Sequence, residues 1–125
     1  MTLTLETPTR LQHHGKLCSS HHLTARIVLQ ALQRKIGLYA HHYLDPVLSL
    51  PSLPNNATCQ VETQRYHWQR FSSRQQQKMA LDGLIGDITL TGDLSAWYPW
   101  LWLGQYTHIG KNTSFGLGKY TLVLF

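Results

Sequence analysis

The chain has 125 residues, with 11 lysines and arginines against 6 acids and a formal charge of +5. That length allows one domain around one hydrophobic core. No apolar run approaches the roughly 20 residues of a membrane span, so the basic surplus points to an anionic partner, nucleic acid before a membrane surface.

Thr2 to Glu6 alternates polar and apolar residues, the period of a half-buried strand, and Pro8 ends it. His13-His14-Gly15-Lys16 reads as a turn, after which Ser19 or Ser20 caps a helix. Leu23, Ile27 and Ala31, with Val28, Leu32 and Ile36, form one apolar stripe. Arg26, Gln30, Gln33 and Arg34 take the opposite face of this amphipathic helix, and Gly37 begins its end. Residues 41–58 carry Pro46, Pro51, Pro54 and Asn55-Asn56 and form a long connector within the domain. Val61 to Phe71 reads as a strand, Ser72 to Lys78 as a polar turn, and Met79 to Leu90 as a second, antiparallel strand. Gly83 and Gly86 mark a bulge or a close backbone approach in it. Gly92-Asp93 turns the chain. Ser95 caps a second helix, with Pro99 in its first turn, Trp97, Trp100, Leu101 and Leu103 facing the core, and an end near Gly104 or Tyr106. Thr121 to Phe125 is the closing strand.

The order strand, helix, strand, strand, helix, strand predicts an α+β, ferredoxin-like (RRM-like) βαββαβ domain spanning 1–125. Its antiparallel four-stranded sheet has the order 4-1-3-2, with two helices on one face. The opening Met1-Thr2-Leu3-Thr4-Leu5 lacks the basic and apolar regions of a secretory signal, so a cytoplasmic protein is expected. Cys18 and Cys59, outside any C-x-x-C pair, are expected as reduced thiols. The glycosylation sequons at Asn56 and Asn112 carry no weight in that setting.

The chemistry concentrates between Ile109 and Tyr120. Gly110, Gly116 and Gly118 frame Lys111, Asn112, Thr113, Ser114 and Lys119. Glycine permits close approach and positive φ, the small polar side chains offer hydrogen bonds, and the lysines offer charge. The combination suits a phosphate backbone laid on an open sheet surface. The competing reading is a structural turn that packs Phe115 and Leu117 into the core; Phe115 is expected there in either case. The loop lacks the G-K-[ST] of a Walker loop and the strand-to-helix turn of a dinucleotide fingerprint. A second candidate is Arg65-Tyr66-His67-Trp68-Gln69-Arg70, where aromatics can stack bases while Arg65 and Arg70 hold the backbone. The ordinary-strand alternative buries Tyr66 and Trp68 and leaves Arg65 and His67 solvated.

His108-Ile109-Gly110, five residues, then Gly116-Leu117-Gly118 resembles the C-terminal glycine-rich loop of the CRISPR precursor-RNA-processing endoribonucleases of the RAMP superfamily. That motif runs G-hydrophobic-G, five residues, G-hydrophobic-G, and His108 stands at its first glycine. Thr7-Pro8-Thr9-Arg10-Leu11 with Gly15-Lys16 is similar to the opening of the family's C-terminal half, and the Gly83-to-Leu94 strand before a Trp-rich helix fits its layout. Full-length members resemble two ferredoxin-like halves in tandem, and this length has room for the second half alone.

The resemblance implies binding and metal-independent cleavage of CRISPR repeat RNA. A 2′-hydroxyl attacks its neighbouring phosphate and leaves a 2′,3′-cyclic end. The implied partners are repeat RNA, an N-terminal ferredoxin-like half and other CRISPR proteins. The group Trp97, Trp100 and Trp102 reads as core or as an interface with that half, and its exposure would drive homodimerisation. In the resembled family the cleavage residues usually come from the first half, so no histidine is carried over as catalytic by motif. Histidine suits metal-free acid–base chemistry, however. His108 is the first candidate by its place beside the loop, with His13 and His14 behind it. No H-x-x-x-H or H-E-x-x-H spacing occurs, and neither a metal nor a cofactor is expected. Two rival readings are a non-catalytic RNA-binding RAMP subunit of a CRISPR effector complex and a small protein-interaction domain with incidental basic charge.

Overall fold

The computed structural model describes residues 1–43, 51–54, 56–67, 69–72 and 77–124. The chain runs β1 (Thr2–Thr9), β2 (Gln12–His13), β3 (Lys16–Leu17), α1 (Ala25–Tyr43), β4 (Thr58–Tyr66), β5 (Gln69–Ser72), β6 (Gln77–Ala80), β7 (Gly83–Thr91), α2 (Tyr98–Thr107) and β8 (Tyr120–Val123). The long strands form one antiparallel sheet in the order β4-β7-β1-β8. Counted along the four-stranded framework, this is the expected 4-1-3-2 order, and the fold is the ferredoxin-like α+β arrangement. Alternation along the strands sends Leu3, Leu5, Ile88, Leu90 and Tyr120 to one face. There they pack with Val28, Leu29, Leu32 and Ile36 of α1 and Leu101 of α2 in a single core.

Several boundaries move. The α1 cap is Thr24, whose Oγ1 accepts the Ile27 amide at 3.2 Å. Ser19 instead meets His22 Nδ1 at 2.7 Å, and Ser20 meets Thr63 Oγ1 at 2.6 Å, which ties the approach to α1 onto β4. The helix continues through Gly37 to Tyr43, although among the described residues its contribution to the core ends at Ile36 and Leu38 is exposed. The turn at His14-Gly15, both at positive φ, closes the small β2–β3 hairpin. Ser95 donates to Asp93 Oδ1 at 2.9 Å and does not cap α2, whose N-cap is Trp97, with Pro99 in the first turn as expected. Part of the 41–58 connector, residues 44–50 and 55, lies outside the described residues.

The expected strand from Val61 to Phe71 is two strands. β4 leaves the sheet after Tyr66 pairs with Gly83, and the chain continues into a separate β5–β6 hairpin. Gly83 lets the start of β7 lie close against the end of β1, since a Cβ there would stand 2.6 Å from the Thr9 amide nitrogen. The return link, Leu81-Asp82, is anchored by Leu81, buried to 1% exposure.

Tyr120 pins α2 to β8. Its hydroxyl donates to the Leu101 carbonyl at 2.6 Å inside the core, and burial raises its pKa. Tyr120→Phe should cost about 1–2 kcal/mol in urea unfolding, because the carbonyl loses a buried donor while the ring still packs.

Candidate functional site

The glycine loop uses much of its backbone to hold itself. Ile109 N donates to the Gly118 carbonyl at 3.0 Å, Lys111 N to Arg10 at 2.9 Å and Gly118 N to Pro8 at 3.1 Å, while Lys119 N donates to Thr7 Oγ1 at 3.0 Å. Phe115 N and Gly116 N close a one-turn 3-10 helix over Thr113–Phe115. Gly110 and Gly118 therefore admit the protein's own backbone: a Cβ on Gly110 would stand 2.5 Å from the Arg10 carbonyl oxygen. The close approach expected for a ligand is spent on the end of β1. Ile109 and Leu117 are buried, as a structural turn requires. Phe115 is not core; it lines an open groove with Pro8, Tyr66 and Ile85 at the end of the sheet. Tyr66 is likewise half-exposed, contrary to the ordinary-strand expectation.

What the loop presents is one wall of a cleft. The other wall is α1. This open cleft of about 210 Å³ is lined by Arg34 and Lys35 from the helix, Lys111 and Asn112 from the loop, and Arg10 and Gln12 from the stretch after β1. Among the described residues that line it, none is acidic. Lys35 Nζ donates to Thr113 Oγ1 at 2.9 Å, a bond that ties helix to loop. Burial pushes the Lys35 ammonium below the usual lysine range, and the Lys111 charge pushes it the same way. Convergent like charges raise the energy of the empty cleft, and an anion between them relieves it.

Lys119 does not join this cleft. It sits beyond the loop and pairs with Glu6 Oε2 at 3.6 Å, both side chains being substantially exposed. The open face of the sheet differs from expectation as well. Register places Glu62, Asp87, Thr4 and Thr121 in one row across the four strands. Glu6 is bonded to Thr121 on that same face. A surface of acids and threonines repels phosphate, so the basic site lies on the helix side.

Gly116 and Ser114 lie on the exposed outer turn of the loop. Arg65 reaches Asp82 Oδ2 at 3.8 Å, while Arg70 is placed on β5. His108 Nδ1 bonds the Leu117 carbonyl at 3.1 Å, so the ring braces the loop from inside. His13 and His14 stand exposed beside the β2–β3 turn with their rings 3.9 Å apart. Trp97 is core, Trp100 is partly buried against it, and Trp102 is exposed, stacked edge-on with Tyr106. Among the described residues no three His, Cys, Asp or Glu side chains gather as a metal-binding group. No described helix is long and apolar enough to cross a membrane.

Residues 3–120 match the family model of the CRISPR-associated endoribonuclease Cas6. The chain belongs to the Cas6 family. It is similar in structure to a chain of a partial Cas6-RT-Cas1–Cas2 complex, with a TM-score of 0.62 and 16% identity over 98% of this chain and 22% of that one. A Cas6-RT-Cas1–Cas2 complex matches with the same score and identity, over 98% of this chain and 14% of that chain. The chain thus spans about a fifth or less of those chains, and the likeness is one of fold. Comparison with curated protein sequences gave no match. Within this Cas6 chain, His108 takes φ 64° and ψ 179°, a backbone state that glycine adopts most readily. A histidine thus stands in a glycine-favoured backbone state at the position where the resembled motif has its first glycine.

Arg10, Arg34 and Lys35 were not legible in the sequence as site residues. The available signal was the basic pair Arg34-Lys35 on the polar side of an otherwise apolar-striped helix. Its meaning depended on what the helix faced.

Proposed function

We propose that this Cas6 domain binds CRISPR repeat RNA through the cleft between α1 and the glycine loop. It serves there as the C-terminal half of a metal-independent endoribonuclease that cuts precursor CRISPR RNA. The observation that carries the reading is the gathering of Arg34, Lys35 and Lys111 around an open cleft with no acid among its described lining residues, in a chain of an endoribonuclease family. Phosphates seated there would be met by Lys111 and Arg34, with Asn112 adding a side-chain amide. The loop's contribution is grip and orientation. The reaction class is attack of a ribose 2′-hydroxyl on the adjacent phosphate, which needs positioned acid–base groups and no metal. Other CRISPR proteins are the expected protein partners, in keeping with the complexes that contain the similar chains.

The test is incubation of the protein with repeat RNA in a chelator, followed by end analysis. One cut with a 2′,3′-cyclic phosphate is expected. RNA affinity should fall steeply with salt, by about 0.7 in log–log slope for each phosphate held on a single strand. Binding indifferent to salt overturns the cleft as the RNA site.

A further inference from the structure

α2 lacks the charged outer face of an ordinary surface helix. The residues it leaves exposed are Tyr98, Pro99, Trp102 and Tyr106, while its Leu101 and Gly104 are buried. Tyr98, Trp102 and Tyr106 follow one another at a spacing of four, so they stand in one row along the helix. They are 38%, 48% and 68% exposed. Trp102 and Tyr106 already hold each other edge-on, with ring centroids 5.2 Å apart. From Leu94 to Gly110 the sequence has no lysine, arginine, aspartate or glutamate. A helix on a protein surface turns a polar stripe to water, and one that is apolar all round is covered on both sides. A contiguous row of exposed aromatics therefore marks an interaction surface.

We propose that this row is the contact through which two copies of the chain pair about a two-fold axis. The row is self-complementary, with a tryptophan at its centre and a tyrosine four residues to either side. When two such helices cross antiparallel at Trp102, Trp102 meets its own copy and Tyr98 of one chain meets Tyr106 of the other. That is the reciprocal pairing a two-fold contact requires. Residues at i, i+4 and i+8 also form the kind of ridge that seats in the groove of a facing helix. The absence of charge selects the occupant. Aromatics that stack RNA bases, or that lie on an anionic membrane, are accompanied by lysines and arginines that hold the phosphates, and α2 carries none. The basic cleft and the acidic sheet face each repel a copy of themselves, and this face does not. The exposed fractions of the three rings amount to about 300 Å² on each copy, against roughly 800 Å² per partner in a standard interface. The contact is therefore a weak, reversible dimer of micromolar affinity with Trp102 as its anchor. No residue of the row lines the basic cleft, so pairing stands apart from the RNA reading above.

Analytical ultracentrifugation of the full chain, from low micromolar to millimolar concentration, tests the pairing. The parent should pass from monomer to dimer and stop there, because a two-fold contact closes on itself. The dimer should persist at high salt, which screens a head-to-tail contact of basic cleft on acidic sheet. Trp102→Glu and Trp102→Lys each set two like charges against each other at the axis, and each should weaken pairing about 30-fold or more. An equal mixture of the two variants should pair again, because a carboxylate then faces an ammonium. Trp102 is exposed, so both variants should keep the parent's circular-dichroism spectrum and melting temperature under dilute conditions. The proposal is overturned if the parent stays monomeric throughout, if pairing dissolves in salt, if it survives Trp102→Glu, or if the mixed variants do not recover it.

Discussion

Replacing Arg34 and Lys111 together by alanine should weaken repeat-RNA binding roughly 15-fold at about 0.15 M salt and flatten the log–log salt slope by about 1.4. The magnitude follows from counterion release. Each phosphate contact on a single strand frees about 0.7 of a condensed cation, and losing two forfeits two such terms. Both side chains are exposed at the cleft walls, so their removal leaves the core intact. Lys35 is a poorer choice, because its bond to Thr113 also holds the loop against α1. The informative control is Lys119→Ala. That lysine belongs to the same glycine loop in sequence, yet it pairs with Glu6 beside the acidic sheet face. It should bind RNA within about twofold of the parent, since an exposed pair contributes little to the fold and the residue stands outside the cleft. Titrations by fluorescence anisotropy across a salt series check both. A double variant with parent-like affinity and slope would move the RNA away from this cleft.

Gly118→Ala should unfold the protein at moderate temperature, a loss of about 4 kcal/mol or more. Gly118 has φ 77°, where an L residue costs about 1–2 kcal/mol by itself. Its missing Cβ would run into the Ile109 carbonyl oxygen, on the residue whose amide closes the loop onto Gly118. That carbonyl cannot retreat, because the Ile109 amide is bonded to Gly118 and the Ile109 side chain is buried at 1% exposure. Gly116→Ala separates the two causes. Gly116 has φ 85° but nothing within 4 Å of its Cβ position, so only the backbone penalty of about 1–2 kcal/mol applies. Urea unfolding of the pair should therefore differ by several-fold in free energy. Equal losses would mean that the loop can open around the new methyl group, and that the glycines serve conformation alone.

The loop illustrates what was readable. The glycine spacing announced a specific local structure, and that structure exists: His108, Gly110, Asn112, Gly116 and Gly118 all take positive φ. Two of its glycines, Gly110 and Gly118, lie against the protein's own backbone. Glycines that bring a backbone close to a phosphate and glycines that bring it close to another strand look alike in sequence, since both need only a missing Cβ. The strand past Tyr66 shows a second limit. Alternation continues through the break, because residues on a separate hairpin obey the same period as residues in the sheet.

Local rules sufficed for the framework. The apolar stripe of α1, the alternation of β1, Pro99 in the first turn of α2 and the order of elements depend on neighbours a few residues apart, and together they led to the sheet order. The cleft depends on side chains far apart along the chain: Lys35 and Thr113 are separated by 78 positions. Only the packing of α1 across the end of β1 gathers the cations on the helix side, and only the cross-strand register collects the acids on the other. Electrostatic character is a property of surfaces. A sequence of net charge +5 therefore leaves open which face repels phosphate and which receives it until the fold decides.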